Sequence, residues 1–539
     1  MAVGWPVGGS RPFPALRSAL IVAGAGFVVF ALARYRGEHD ELRAISAIVG
    51  VMAIAVIARH PVGSLVLLIA YLPVQEALLA FLYNHGAPAG LVKGMGYLKE
   101  AVLVAFIVDV VRASRDGRRR PLTRVDHLGL AFIALATVYL VLPSFVPGIL
   151  GGQPSAVRIS AWRLEILFVA YLLVCRLRTW TARDVRILEN AVMVAGTVLA
   201  AGGIWEIASS GGYNTFMINT VGFQRFTAEV RKFTPECLCS VIVRDTSGGT
   251  STIRIGSWLA DALNLAWCMV LPIVIALRRL GSSRRAWVPA IVAGSCAITL
   301  VYTLTRSAIV GGAVAAAIVT WGAVSKRYSR GVALLALAAL GAICVIPFLP
   351  TSLLNRITGH SSGAVASSQQ HTKLTRSAFD RFIATPLGDG LGSNPVTGNR
   401  LGTSNKVYAE NYYLQVGIEL GWVGLLLFSA LMLSLLFELK ALLRTRWHPE
   451  VIAIAAALTG LAVSAFFLQT FSSFQLAIPL FALCGVATSF GTARREVGSA
   501  TDADDAPPDE VGGPGEDPPP DDRDGEARPR RGRAVAVGR

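Results

Sequence analysis

Glu410 and Asn411, in YAENYYLQVGIELGWVG (Tyr408–Gly424), stand where the chain turns apolar for a long run. A carboxylate at such a doorway can cap a helix, because anions are favoured at helix N-termini. It can also take a proton from a hydroxyl if partial burial raises its pKa towards neutrality. Arginines form a second group: Arg306 in TLTRSAIVGG, Arg254 in RIGSWLADALNLAW, and Arg376 and Arg381 in TRSAFDRFIATPLGDGLGSN. Each offers a planar fork matched to phosphate oxygens, so together they point to an anionic ligand. A base beside fixed cations is what a transfer reaction needs when its leaving group departs as an anion.

The elements that must hold these residues are membrane helices. The chain has 539 residues, 53% hydrophobic and only 16% charged, a balance that excludes an ordinary soluble protein of this size. Crossing a bilayer takes roughly 20 apolar residues, and about fourteen segments qualify or nearly do. They begin close to Ala19, Ala44, Gly63, Leu98, Leu128, Leu164, Ile187, Trp258, Trp287, Ser307, Val332, Gly421, Ile452 and Phe474. The first segment lacks a small-residue cleavage site, so it reads as part of the bundle and not as a cleavable signal. The expected architecture is an all-α polytopic membrane protein.

A net charge of +16 would suggest nucleic acid on a soluble protein; here it reports orientation, and no nucleic-acid partner is expected. Arg112–Arg124, Arg278–Arg279 with Arg284–Arg285, Lys326–Arg327–Arg330 and Lys440–Arg444–Arg446 fall on alternate connections. The positive-inside rule puts these in the cytoplasm. Both termini then lie there too, in a multi-pass protein of the plasma (inner) membrane. Residues 1–490 form the transmembrane part. From 491 to 539 the chain reads as a disordered cytoplasmic tail, with 11 of the 34 acidic residues between Thr501 and Glu526 and too few apolar residues for a core.

Two long connections, about 209–257 and 350–409, fall on the outside, and loops of this length are usually functional. Outside loops should be poor in Lys and Arg, yet these carry Arg225, Arg231, Lys232, Arg244, Arg254, Arg356, Lys373, Arg376, Arg381, Arg400 and Lys406. Arg306 stands in a short outside turn, where an ionisable group at the membrane boundary is costly and defaults to function. A lipid diphosphate suits this depth, its head among the arginines and its tail between helices. Arg376 and Asp380 fall at i, i+4 on a short helix that stops at Pro386. The following Gly388-Asp389-Gly390-Leu391-Gly392 reads as a tight turn shaping a cavity, because no strand precedes it as a dinucleotide site requires. Gly417 and Gly421 have the small-residue spacing that lets helices approach closely. The CxC pair Cys237 and Cys239 lacks further ligands nearby, so no metal and no cofactor is expected.

These stretches resemble the O-antigen ligase and O-antigen polymerase superfamily. Family ligases carry a His, then Asn, Ser or Gln, nine residues, and G-x-x-G. Here Asn411 is followed by the nine residues Tyr412–Leu420 and then Gly421-Trp422-Val423-Gly424, with Glu410 at the histidine position. TLTRSAIVGG, with Arg306, resembles the family's Thr-x-Ser-Arg-like motif. Arg254 and Asn264 match its arginine-to-asparagine stretch, GYLKEAVLVAF its Lys-Glu/Asp helix start at Lys99–Glu100, and AGGIWEIASSGG, with Glu206, the span before the first outside loop. The likeness covers roughly Leu98 to Phe490.

The resemblance implies a GT-C-like membrane glycosyltransferase of inverting type. Its donor would be a polyprenyl-diphosphate-linked glycan, its acceptor a glycan or lipid-linked glycan, and membrane lipids would surround both. Glu410 and Arg306 are then expected to be catalytic, with Arg254, Asn264, Arg376, Arg381 and Asn411 binding substrate. His360, His371, Asp380 and Asp389 are alternative sources of a base. Glutamate in place of the ligase histidine favours a polymerase or another branch over a lipopolysaccharide ligase. A lipid-linked glycan flippase has a similar number of spans but should hold its charges deep in a central cavity; a scaffold would rest on the acidic tail alone.

Overall fold

A computed structural model describes residues 59–115, 122–145, 153–231, 243–245, 252–280, 285–324, 362–394, 409–445 and 448–504. The spans expected near Ala19, Ala44 and Val332 lie outside these residues, as do Cys237, Cys239, His360, Lys232, Arg356, Arg400 and Lys406.

Apolar runs closed by prolines, caps and charged ends give a helical bundle. Its helices are α1 (Pro61–Tyr71), α2 (Gln75–Asn84), α3 (Ala89–Met95), α4 (Leu98–Arg115), α5 (Arg124–Phe145), α6 (Ser155–Arg176) and α7 (Ala182–Ala208). Short helices α8 (Ser210–Thr215) and α9 (Phe223–Glu229) precede strands β1 (Val243–Asp245) and β2 (Thr252–Arg254). Then come α10 (Ala262–Leu280), α11 (Trp287–Tyr302), α12 (Arg306–Val324), α13 (Ser362–Ala384), α14 (Tyr412–Leu442), α15 (His448–Ser464) and α16 (Phe474–Asp504). The two strands pair antiparallel, Val243 opposite Arg254, in the hairpin-like stretch of the first long loop.

Among the described residues, five helical stretches are long and apolar enough to cross a membrane: Pro61–Asn84, Arg124–Pro143, Ala182–Ala208, Ala262–Leu280 and Tyr412–Leu442. Trp287–Tyr302, Arg306–Trp321, Val451–Ser464 and Phe474–Phe490 are shorter apolar helices. The spans expected from Leu98 and Leu164 fall on α4 and α6, which each carry four or more charged side chains. Several of the charges here are matched internally. Arg163 pairs with Glu100 and Arg178 with Asp109, while buried Arg176 reaches Asp126 at 2.8 Å and Glu438 at 3.1 Å. Pairing is what makes such groups tolerable away from water.

The core is a cluster of rings. Phe168 meets Phe481 at a tilt with centroids 4.6 Å apart, and Tyr412 meets Phe428 and Phe471 at 5.4 and 5.5 Å. Glycines allow the closest helix crossing: Gly311 of α12 and Gly460 of α15 meet backbone to backbone, with no room for a Cβ on either, as small-residue packing in membranes requires.

The second long loop folds back into the bundle. Its helix α13 is longer than the sequence implied, reaching back to Ser362, and it stops at Ala384 just before Pro386. The glycine turn then wedges against α14, which is not one continuous helix: Gly421 has φ 70° and ψ −172°. At this break Trp422 N–H donates to Pro386 O at 2.9 Å, and Asp389 N–H donates to Ile418 O at 2.6 Å. A Cβ on Gly421 would stand 2.5 Å from Pro386 O, and one on Gly417 would meet the Phe382 ring. The small-residue spacing on α14 therefore admits a loop backbone and a helix of that same loop, where sequence spacing suggested a second membrane helix. Leu391, Ser393 and Asn394 are buried as a result.

The chain divides into two units, Met1–Ala493 and Arg494–Arg539. Of the second only Arg494–Asp504 is described, and it is helical.

Candidate functional site

Arg254 ends β2 and is anchored by the turn between α11 and α12. Its Nε donates to Thr303 O at 3.1 Å, and its Nη2 lies 3.4 Å from Thr305 Oγ1. That turn is tight, with Leu304 at φ 56°, and Arg306 is the first residue of α12 after it. Two of the expected arginines are thus brought together by backbone. Burial lowers the Arg254 guanidinium pKa and the Asp261 carboxylate opposes this; the group stays charged, as arginines do in proteins. Asp261 also caps α10, accepting from Leu263 N–H at 2.8 Å, and takes the Asn264 side-chain amide at 3.1 Å. Asn264 therefore reaches Arg254 only through Asp261.

Behind Arg254, Glu206 of α7 is fully buried and accepts the backbone N–H groups of Gly256 and Ser257, each at 2.9 Å. It fixes the backbone immediately after the arginine.

The base candidates meet across two elements. His371, on α13, places Nδ1 against Glu410 Oε2, in the segment leading into α14. The imidazole is 39% exposed and the carboxylate only 15%, so the histidine is the accessible member. Burial, then the positive charges of Arg306 and Arg254, push the His371 pKa below its ordinary value. His371 thus touches Glu410 and lies within the electrostatic reach of both arginines.

Asn411, not Glu410, caps the helix. Its Oδ1 accepts from Leu414 N–H at 3.1 Å while its Nδ2 donates to Phe466 O at 2.8 Å. Both ends of the amide are engaged by protein, and Glu410 is left for His371.

The remaining loop charges separate. Arg381 makes a two-point ion pair with Asp389, 2.7 Å at each contact, which clasps α13 to the glycine turn. Arg225 pairs with Glu229 at 3.2 Å and Arg231 with Glu76. Arg376 and Asp380 are exposed and form no ion pair with each other. The sequence offers His371 only as one of several loop bases and gives Asp261 and Asn394 no role. Asp261 shows the local spacing of a helix cap, while the partners of His371 and Asn394 are distant in the chain. No cluster of metal-ligating side chains occurs among the described residues.

Helices of this length and apolarity, with the His371–Glu410 contact in the charge field of two arginines, define a multi-pass membrane protein with a polar site. The family model for O-antigen ligases matches residues 289–429. The chain is similar to that family over this segment, which holds Arg306, His371, Glu410 and the break at Gly421, while Arg254 and Asn264 lie before it. The resemblance drawn from the Asn411–Gly424 frame and from Arg306 is borne out there. Among curated proteins, no match was found.

Proposed function

We propose that the protein is a glycan polymerase or ligase. It transfers a polyprenyl-diphosphate-linked glycan to an acceptor hydroxyl on the extracytoplasmic face of the plasma (inner) membrane. The observation that carries this reading is the contact of His371 Nδ1 with Glu410 Oε2 beside Arg306 and Arg254.

The neutral imidazole turns Nδ1 to the Glu410 carboxylate, which leaves Nε2 with its lone pair as the base. The acceptor hydroxyl gives its proton to Nε2 as its oxygen bonds to the anomeric carbon. The bond from that carbon to the phosphate oxygen breaks on the opposite face, and the diphosphate leaves with the electron pair, inverting the centre. Arg306 and Arg254 stabilise the charge that develops on it, without proton transfer and without a metal. Arg376, exposed on α13 near His371, is assigned to the donor's head. Arg381 and Asn411 act by holding the glycine turn and the start of α14, and Asn264 acts through Asp261. Relatives keep a histidine at position 410; here the imidazole comes from a different helix and the carboxylate takes its place in the frame. That rearrangement favours a polymerase or another branch over a lipopolysaccharide ligase.

Deleting the protein should accumulate lipid-linked oligosaccharide on the outer face of the membrane. Arg306→Ala, Glu410→Gln and His371→Ala should each reproduce this, with transfer lowered about 100-fold or more, the usual scale for losing a general base or a charge-stabilising donor. If Arg306→Ala and Glu410→Gln are both silent in stably expressed protein, the catalytic assignment is lost. Accumulation on the inner face would favour a flippase instead.

A further inference from the structure

The proposed mechanism leaves unused two fully buried carboxyl groups, Glu165 of α6 and Glu419 of α14. Both oxygens of Glu165 are engaged: Oε2 accepts from Tyr412 Oη–H at 2.8 Å and Oε1 from Gln415 Nε2–H at 3.1 Å. Glu419 Oε1 receives Asn394 N–H at 3.4 Å, while its Oε2 has no hydrogen-bond partner. Two further buried oxygens on the re-entrant turn, Asn394 Oδ1 and Ser393 Oγ, are also without partners.

Among the described residues neither carboxyl forms an ion pair, and their hydrogen bonds come from Tyr412, Gln415 and the backbone of the turn. An ionised carboxylate in a dry interior without a cation is strongly unfavourable, and a proton removes that cost. Both oxygens of Glu165 accept hydrogen bonds, which suits the ionised form, whereas Glu419 Oε2 has no hydrogen-bond partner.

The pair is connected to the site. Asn394, whose N–H meets Glu419, donates its Nδ2–H to Ala409 O at 3.3 Å, and Gln469 Nε2 also donates to that carbonyl. Ala409 is the residue before Glu410. We infer that Glu419 is a positioning residue that carries a proton: as a neutral acid it fastens Asn394 and the re-entrant turn, and through Ala409 it sets Glu410 against His371. This inference rests on the proposed function for its catalytic consequence, though not for the proton.

Infrared spectroscopy of the full-length protein in lipid tests the proton directly. The parent should show the carbonyl stretch of a protonated carboxylic acid at neutral pH. Glu419→Gln should remove that band and Glu410→Gln should leave it. A parent without the band, or a band that survives Glu419→Gln, overturns the inference whatever the activity. Transfer assays test the positioning. Glu419→Gln, which copies a neutral acid, should retain transfer within about two-fold of the parent, and Glu419→Leu should lower kcat by about ten-fold or more at little-changed KM, as a misplaced catalytic group does. Loss of transfer in both variants, with both folded and donor binding intact, would count against a neutral acid at this position. A parent inactive on every lipid-linked donor would refute the proposed function alone, and the infrared result would still decide this point.

Discussion

As the proposed base, His371 has to be neutral to accept a proton. The Glu410 carboxylate favours its charged form, while burial and the two arginines favour the neutral one and prevail in the direction of the shift. Burial disfavours the imidazolium, and Arg306 and Arg254 add like-charge repulsion. The sign is therefore downward from 6.5, the ordinary value for histidine. Transfer measured as kcat/KM should rise from acid to neutral pH with a midpoint below that value. Replacing Arg254 by Gln should move the midpoint up, because one repelling charge is gone. The same shift has a stability consequence. A group whose folded pKa is depressed contributes stability above its unfolded pKa and loses it as pH falls through the folded one, so acid should loosen the junction of α13 with Glu410. A midpoint above the ordinary value would remove His371 from the role of base. The opening pair could be read only in part from sequence. A polar doorway with a cap was visible, but assigning the cap to Asn411 and the contact to Glu410 needed Phe466 and His371, both far along the chain.

At the scale of elements, the break in α14 is the device that lets a loop backbone pack against the helix. The frame of Asn411, a nine-residue interval and G-x-x-G was legible in the sequence; its physical reason was not. Only the tertiary structure reveals that Gly421 leaves helical geometry to receive Pro386 O and Leu387, or that Arg381 and Asp389 clasp the two ends of the turn. A side chain at Gly421 is opposed both by its positive φ and by the loop backbone. Gly421→Ala should therefore cost about 1–3 kcal/mol from backbone strain alone, before any clash. Gly294 of α11 offers the contrast, since a Cβ there would meet nothing within 4 Å. Thermal unfolding in detergent should show a lowered midpoint for Gly421→Ala and an unchanged one for Gly294→Ala. Equal midpoints would mean that the loop does not depend on the break. The two charged helices α4 and α6 carry the opposite lesson. Their apolar content suggested simple spans, while the pairing of Arg163, Arg176 and Arg178 could not be read from one helix at a time.

For the molecule as a whole, the charges separate by end. The α10 helix begins beside Asp261 and Arg254 and closes on Arg278 and Arg279, which both reach Glu189. Its 19 residues rise about 28 Å at the helical pitch, close to the thickness of a hydrocarbon core. The site and the paired arginines thus mark opposite ends of one helix long enough to cross. On the proposed orientation the second, basic end is cytoplasmic, as the positive-inside rule expects, and His371, Glu410 and Arg306 face the outside. Exposed Lys373 on α13 and exposed Lys440 near the end of α14 report on the two faces. With Cys237 and Cys239 replaced by serine, Lys373→Cys should react with a membrane-impermeant maleimide in intact cells, and Lys440→Cys only after the membrane is opened. The reverse pattern would turn the whole molecule over. It would leave the His371–Glu410 pair facing the cytoplasm, where an acceptor already exported could not reach it, and the extracytoplasmic reaction would fail with it.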